Sequence, residues 1–400
     1  MDNLFLNPAI DESTTSAHWH TYSPFLNSFN KSDIIRIQIQ NQNLNILPST
    51  SLLYIEGTIT RADGTETTKT KLINNAIAFL FDEIRYELNG KEIDNNRNVG
   101  ITSCLKYYIS LNKNESQALI NGSWSPEQPI QPQTLFFNYC IPLRRLLGFA
   151  EDYKNIVPNA RHEIILTRSR SDDNSFLCSD VNEKPKIQLT KVQWRVQHIN
   201  LTDTLKLNLY RNITNKAKIM LAFRNWELYE YPSLPQNSNH HIWNVKTTTQ
   251  LEKPRYIIFA LQTDKLDQVT KDPSKFDHCN ITDLKVYLNS ECYPYEDMNL
   301  FFERNRYGIA YDEYTRFRSS YYNYPISKAL LTLKEFKEKA MILIIDTRYQ
   351  NENLKMGPVD VRIEMKSSAA IPDKTTAYCL MLHDRLVEFT PLTGEVNKIV

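Results

Sequence analysis

The chain has 400 residues, 41% of them hydrophobic and 23% charged, the balance of a folded globular protein rather than a disordered one. Its 47 bases and 46 acids leave a net charge of +1, which argues against a main task of gripping phosphate backbones, so no strong direct nucleic-acid binding is expected. No run approaches the ~20 apolar residues of a membrane helix, and the opening "MDNLFLNPAIDESTT" lacks the basic and apolar regions of a secretory leader, so neither is expected.

Residues 1–30 are polar and aperiodic, with aromatics in "HWHTYSPF", and read as an arm that orders against a partner, Trp19 and Phe25 being its anchors. The period then becomes two. In "DIIRIQIQ", Ile35, Ile37 and Ile39 share one face; in "LLYIEGTIT", Leu53, Ile55 and Ile59 do so, and "RADG" supplies a turn. "EIRYELNG" (Glu83 to Gly90) is a further strand, with Ile84, Tyr86 and Leu88 inward. Leu105, Tyr108 and Ile109 then fall at helical spacing, and Pro-rich "SWSPEQPIQPQ" reads as a surface loop. "LFFNYCIPL", "HEIILTR" and "KIQLTKVQWRV" predict strands. In the last, Ile187 and Leu189 have odd parity but Val192, Trp194 and Val196 even, which predicts a bulge at Thr190-Lys191 or a crossing between sheets.

From Leu205 the same course repeats. "KIMLAFRNWELY" and "YIIFALQT" predict strands, the latter central. "DLKVYLNS" (Asp283 to Ser290) then matches the earlier octet, Leu288 lying 200 positions after Leu88, with Lys285 expected outward. Tyr314, Phe317 and Tyr321 follow at helical spacing, and "KAMILIID", "VDVRIEM" and "TTAYCLMLHDRLVEF" close as strands. One octet is weak evidence; the same element order around it at the same offset is better, and favours a duplicated design. The fold class expected is all-β: two jelly-roll β-sandwiches in tandem with a short helix in each half, divided as an arm 1–30, a first jelly roll 31–204 and a second 205–400.

Catalytic signals are sparse. With nine glycines, the chain has no GxGxxG after a strand, no GxxxxGK[ST] and no GxSxG. His18 and His20, one residue apart, would share a strand face and could chelate a metal, but they sit in the polar arm with no further ligand at suitable spacing. His240 and His241 are neighbours and point opposite ways, as a solvated loop entering a strand would have them. Asp277-His278-Cys279 holds the residue types of a thiol catalyst, yet sequence neighbours rarely supply that geometry, and a turn is expected. The cysteines (Cys104, Cys140, Cys178, Cys279, Cys292, Cys379) form no CxxC pair and read as free thiols. No enzyme activity, cofactor or metal is expected. Tyrosine is abundant, 22 residues, and "ECYPYEDMNLFF" and "YYNYP" crowd rings beside charges as subunit interfaces do. Subunit contact is expected of Tyr293, Tyr295, Tyr321, Tyr322 and Tyr324, with Trp19 and Phe25 from the arm.

Several stretches, "SDIIRIQIQNQNLNILPSTSLLYIEGTIT", "IPLRRLLGFAEDYKNIVPNARHEIILTRS", "LEKPRYIIFALQT", "FDHCNITDLKVYLNSECYPYEDMNLFFERNRYGIAYDEYTRF" and "CLMLHDRLVEFTPLTGEV", resemble the double jelly-roll major capsid proteins of DNA viruses, those of small invertebrate viruses and of virus-derived elements in animal genomes. The resemblance implies a homotrimer whose six sandwiches make a pseudo-hexagonal capsomer, with neighbouring capsomers and minor capsid or penton proteins as partners. It implies a virion location, with synthesis in the host cytoplasm and assembly in nucleus or cytoplasm. On this reading, deleting residues before Asp33 is expected to leave folded trimers while impairing shells. The alternatives are a jelly-roll binding protein of spike or lectin type, viral or host-adopted, and a cupin-like metal enzyme using His18 and His20.

Overall fold

The computed structural model describes residues 13–40, 45–61, 63–67, 69–127, 129, 136–236, 238–246, 253–324, 328–349 and 359–399. In the first half lie β1 (Thr14–Tyr22), β2 (Ile34–Ile39), β3 (Asn45–Thr60), β4 (Phe81–Leu88), β5 (Lys91–Arg97), β6 (Phe136–Pro142), β7 (His162–Arg168) and β8 (Lys186–Leu201). In the second lie β9 (Ile219–Tyr231), β10 (His240–Lys246), β11 (Pro254–Thr263), β12 (Ile281–Leu288), β13 (Glu291–Tyr293), β14 (Ile342–Asp346), β15 (Val361–Ser367) and β16 (Thr375–Thr390). The first half pairs them as β1-β8-β3-β6 and β2-β7-β4-β5, the second as β9-β16-β11-β14 and β10-β15-β12-β13. Adding eight to each number of the first order gives the second. Both halves are therefore antiparallel jelly rolls of one topology, and the fold is all-β with two of them in tandem. Helix α1 (Val99–Ser110) follows β5, α3 (Gly308–Tyr322) follows β13, and α2 (Asp203–Thr214) connects β8 to β9.

The period-two residues face the sandwich interiors. Ile35, Ile37 and Ile39 of β2, Leu53, Ile55 and Ile59 of β3, and Val361, Ile363 and Met365 of β15 are buried. On β8 the register against β3 shifts between Leu189 and Lys191, so Thr190 is the extra residue of a bulge. The bulge lets Ile187 and Leu189 reach the same core as Val192, Trp194 and Val196. Strand β11 lies inside its sheet, flanked by β16 and β14, and its near-continuous apolar run is buried.

The two matched octets fall on β4 and β12 and their closing turns, and the two copies share a bulge and a turn, although β4 carries a further register shift against β5, between Tyr86 and Glu87, that β12 lacks against β13. Each register breaks at the second strand residue, between Phe81 and Glu83 against β7 and between Ile281 and Asp283 against β15. The carbonyl freed there accepts from downstream chain in both: Asn98 N–H to Asp82, Leu300 N–H to Thr282. Each octet ends in a two-residue turn, Leu88 opposite Lys91 and Leu288 opposite Glu291, opened by an asparagine at φ 50° and 54°. Asn89 Oδ1 accepts from Arg161 N–H at 2.8 Å, and Asn289 Oδ1 from Asp360 N–H at 2.9 Å.

Several expectations change. Thr14–Tyr22, read as arm, is strand β1, paired antiparallel with β8 from Thr14↔Leu201 to Tyr22↔Trp194. The sequence hid it because an edge strand exposed on both faces shows no alternation. Deleting everything before Asp33 would therefore strip a strand from the first sandwich. Lys285, expected outward, is covered: its ammonium donates to the Pro294 and Tyr295 carbonyls at 3.1 and 3.0 Å and pairs with Asp297 at 2.9 Å. In the Pro-rich stretch Trp124 is fully buried against Tyr107 and Tyr108, its indole N–H donating to Ser116 Oγ at 3.0 Å. Residues 128 and 130–133 of that stretch lie outside the described residues.

Candidate interaction surface

The two sandwiches meet along a charged and aromatic junction. After β6 the chain forms short helical turns at Leu143–Leu146 and Gly148–Asp152, and the second of these reaches β9 of the other sandwich. Arg224 on β9 forks onto Asp152, Nε to Oδ2 at 2.8 Å and Nη2 to Oδ1 at 2.5 Å, and gives Nη1 to the Tyr321 carbonyl at 2.8 Å. Its guanidinium lies 3.9 Å from the Tyr321 ring centre. Buried Lys106 on α1 pairs with Glu151 at 2.7 Å and stands 4.9 Å over the Trp226 ring. Gly148 approaches so closely that a side-chain Cβ would fall 1.8 Å from the Arg224 carbonyl oxygen. Buried Asp94 on β5 accepts from Phe149 N–H at 2.8 Å, and its burial raises its pKa.

Against this frame the expected contact residues divide. Tyr321 is 8% exposed, packed between Trp226, Tyr256 and Phe317, so its ring is spent inside the chain instead of on a subunit surface. Half-buried Tyr322 donates its hydroxyl to Glu151 at 2.9 Å across the same junction. Tyr324 stacks on Tyr322 at 5.6 Å and keeps 47% of its surface. Tyr293 is half-buried, its hydroxyl donating to Glu291; burial and that bond raise its pKa to about 12. Tyr295 is 93% exposed, yet the Lys285 contacts to its own carbonyl and to Pro294 fix its backbone. Phe25 is exposed beside Leu26 on the β1–β2 connection, and Trp19 lies on the outer face of β1 with the Arg195 guanidinium 5.8 Å from its ring centre.

The catalytic-looking constellations resolve into packing. His18 and His20 share a face of β1, and His20 stacks on His198 at 4.1 Å. Burial, then the neighbouring His20, lowers the His198 pKa to about 4. His240 and His241 open strand β10; His240 pairs with Glu364 at 2.8 Å while His241 is buried, facing the other way. In the Asp277–Cys279 turn, Asp277 pairs with Lys265 at 2.6 Å, His278 Nδ1 accepts from Asn280 N–H, and Cys279 contacts Thr263, so the three face different partners. All six cysteines are free. Among the described residues no cluster of His, Cys, Asp or Glu is placed to hold a metal, and no helix is long and apolar enough to cross a membrane.

Two jelly rolls of one topology, joined side by side by a polar junction within a single chain, define the double jelly-roll class. A model of the double jelly roll-like domain matches residues 70–387, and the chain belongs to that family. Among solved structures it is similar to a Sputnik virophage chain determined by cryo-EM, at 9% identity and a TM-score of 0.65 over 100% of this chain and 92% of that one. PBCV-1 VP54, fitted into a Sputnik reconstruction, gives 10% identity and a TM-score of 0.64 over 99% of each chain. The mavirus major capsid protein gives 11% identity and 0.59 over 100% of this chain and 93% of that one. No curated protein matches the sequence.

Proposed function

We propose that this chain is the major capsid protein of a DNA virus or of a virus-derived genomic element, and that it forms homotrimers whose six sandwiches make a pseudo-hexagonal capsomer of an icosahedral shell. The observation that carries the proposal is the non-equivalence of β1 and β9. Both are the first strand of their sandwich, but β9 is covered by the preceding sandwich through Gly148–Asp152 and β5. Strand β1 stays open, with His18, Trp19 and His20 exposed. Repeating the intrachain step around a ring sets the second sandwich of one copy against β1 of the next. Three chains then close six positions through one heterologous contact.

In that ring β13 occupies the place that β5 holds in the junction, which brings Tyr293 and Tyr295 toward the Trp19 face of the neighbouring copy. Near-zero net charge tolerates many copies packed side by side. Neighbouring capsomers and minor vertex proteins are the further partners of such a shell. The test is negative-stain microscopy with sedimentation of the expressed chain. The proposal requires particles near three times 46.8 kDa with hexagonal outline, or closed shells. Monomers that bind a sugar and never assemble would favour the spike or lectin reading instead.

A further inference from the structure

Helix α2, the connection between the sandwiches, has no buried residue. Leu205, Leu207 and Tyr210 are 38%, 58% and 50% exposed, and Leu209 and Ile213 are only partly covered. An amphipathic helix normally lays its apolar stripe on the body it belongs to. Here a groove of about 440 Å³ lies beneath the stripe, with Leu209, Tyr210 and Ile213 on the helix side and Thr15, Ser16 and Asn200 on the sandwich side. The helix wall joins these apolar side chains to Asp203 and Lys206 at its N-terminal end, and the sandwich wall is mostly hydroxyls and amides beside Pro158 and Leu201, which suits an extended peptide: apolar side chains against the helix, backbone against the sandwich.

The chain supplies such a peptide at the mouth of the groove. Thr202 N–H, at the start of α2, donates to the Ser13 carbonyl at 3.2 Å, so residues 1–12 leave the described structure beside the first turn of the helix. Twelve extended residues reach about 40 Å at about 3.3 Å each, whereas a helix of twelve residues is about 18 Å long. Reach is therefore ample. The segment Met1–Glu12 carries Leu4, Phe5, Leu6 and Ile10 for the apolar wall. It also carries Asp2, Asp11 and Glu12 with no base, while residues 203–218 hold Lys206, Arg211, Lys216 and Lys218 against Asp203 alone. Opposite net charge favours the docking.

We propose that Met1–Glu12 seats in the groove beneath α2 of its own chain, clamping the connection between the two sandwiches. This does not rest on the shell reading. Two measurements on the purified full chain decide it. In the first, hydrogen exchange of amides 205–214 is compared between the native chain, a deletion of residues 2–12, and the length-preserving Leu4→Ser, Phe5→Ser, Leu6→Ser variant. Both variants should exchange about tenfold faster there, and addition of a synthetic peptide of residues 1–12 should restore the deletion variant. Unchanged exchange overturns the proposal. In the second, Phe5→Cys is combined with Leu209→Cys and oxidised, with each single variant as control for the native thiols. A disulfide within one chain, identified by peptide mass and absent from the controls, is the expected product. A bond joining two chains overturns the own-chain assignment and gives the groove to a neighbouring copy.

Discussion

Removing the Arg224 guanidinium should uncouple the two sandwiches. Arg224 is held by the two Asp152 oxygens, the Tyr321 carbonyl and the Tyr321 ring, and its side chain keeps only 26% of its exposure, Asp152 14%. Arg224→Met retains the aliphatic stem but leaves Asp152 with the Arg224 backbone N–H and an uncompensated charge. Breaking one side of a fully buried pair costs about 3–5 kcal/mol; the partial exposure of this one points to the lower end, about 3 kcal/mol. Asp152→Asn should cost about 2 kcal/mol, since one acceptor survives, and the double variant should lose less than the sum by about 1–2 kcal/mol. Urea unfolding followed by tryptophan fluorescence reads both halves, Trp124 and Trp194 in the first and Trp226 and Trp243 in the second. The single variant should split or broaden a shared transition as the halves lose their coupling. A loss below about 1 kcal/mol, with no coupling in the cycle, would refute the view that this pair joins the sandwiches.

Gly148→Ala should destabilise by about 2–3 kcal/mol, because the new Cβ meets backbone at Arg224 instead of a movable side chain; an unchanged melting temperature would contradict the close approach. His162, fully buried with its Nδ1 2.6 Å from the Tyr86 hydroxyl, has its pKa lowered from 6.5 to about 3, chiefly by burial. Its folded-state pKa lies below the unfolded one, so its contribution is complete above pH 6.5 and fades as the pH falls toward 3, by at most about 5 kcal/mol. His162→Gln should flatten the stability profile over that window, and acid limbs identical to the native chain would exclude the effect. Deleting Thr190 removes the bulge and joins the two parities, so Ile187, Leu189, Val192 and Trp194 still face the core in unbroken register with β3, and stability read from the denaturation midpoint should fall by no more than about 1 kcal/mol; a loss of about 4 kcal/mol, two side chains turned outward at about 2 kcal/mol each, would contradict the bulge. If the chain forms the proposed homotrimer, Tyr293→Ala with Tyr295→Ala should weaken it by about 2 kcal/mol or more per contact, seen as dissociation in sedimentation at concentrations where the native chain stays associated; unchanged association would remove these tyrosines from the proposed contact.

What the sequence made legible follows from which surfaces each strand covers. Strands β2, β3 and β15 have one face in a core and one in water, and alternation exposes them at once. The parity slip on β8 located its bulge because both flanking runs are buried. Strand β5 was obscured for the opposite reason. "KEIDNNR" is polar and shows no apolar alternation, yet Asp94 and Asn96 are buried, Asn96 donating to the Leu146 carbonyl, because that strand faces the junction. Strand β10 has Ile242 outward and His241 inward, an inverted pattern. Tyr321 looked like an interface aromatic from its neighbours in sequence, and only the fold shows that the interface it serves lies between halves of one chain. Local pattern reports burial; it does not report what does the burying.

The agreement between β4 and β12 extends to a shared bulge and to asparagines making the same bond in both turns, so the two halves are one backbone design carried twice. Their side chains diverge where each half meets a different neighbour. Beyond the first turn the chain places Asp94 and Asn96 under cover, with polar groups matched to a surface that is always present. Beyond the second turn it places Tyr293 and a fully presented Tyr295 on a loop fixed by Lys285. Buried carboxylates and amides suit a junction that forms once, on folding, because unpaired they are costly. Tyrosines suit a surface that must be wet before it is covered, since each buries a large ring and keeps a hydroxyl for water. In the proposed trimer, the contrast between β5 and β13 would separate a permanent contact from one made by association, at the same position in the same fold.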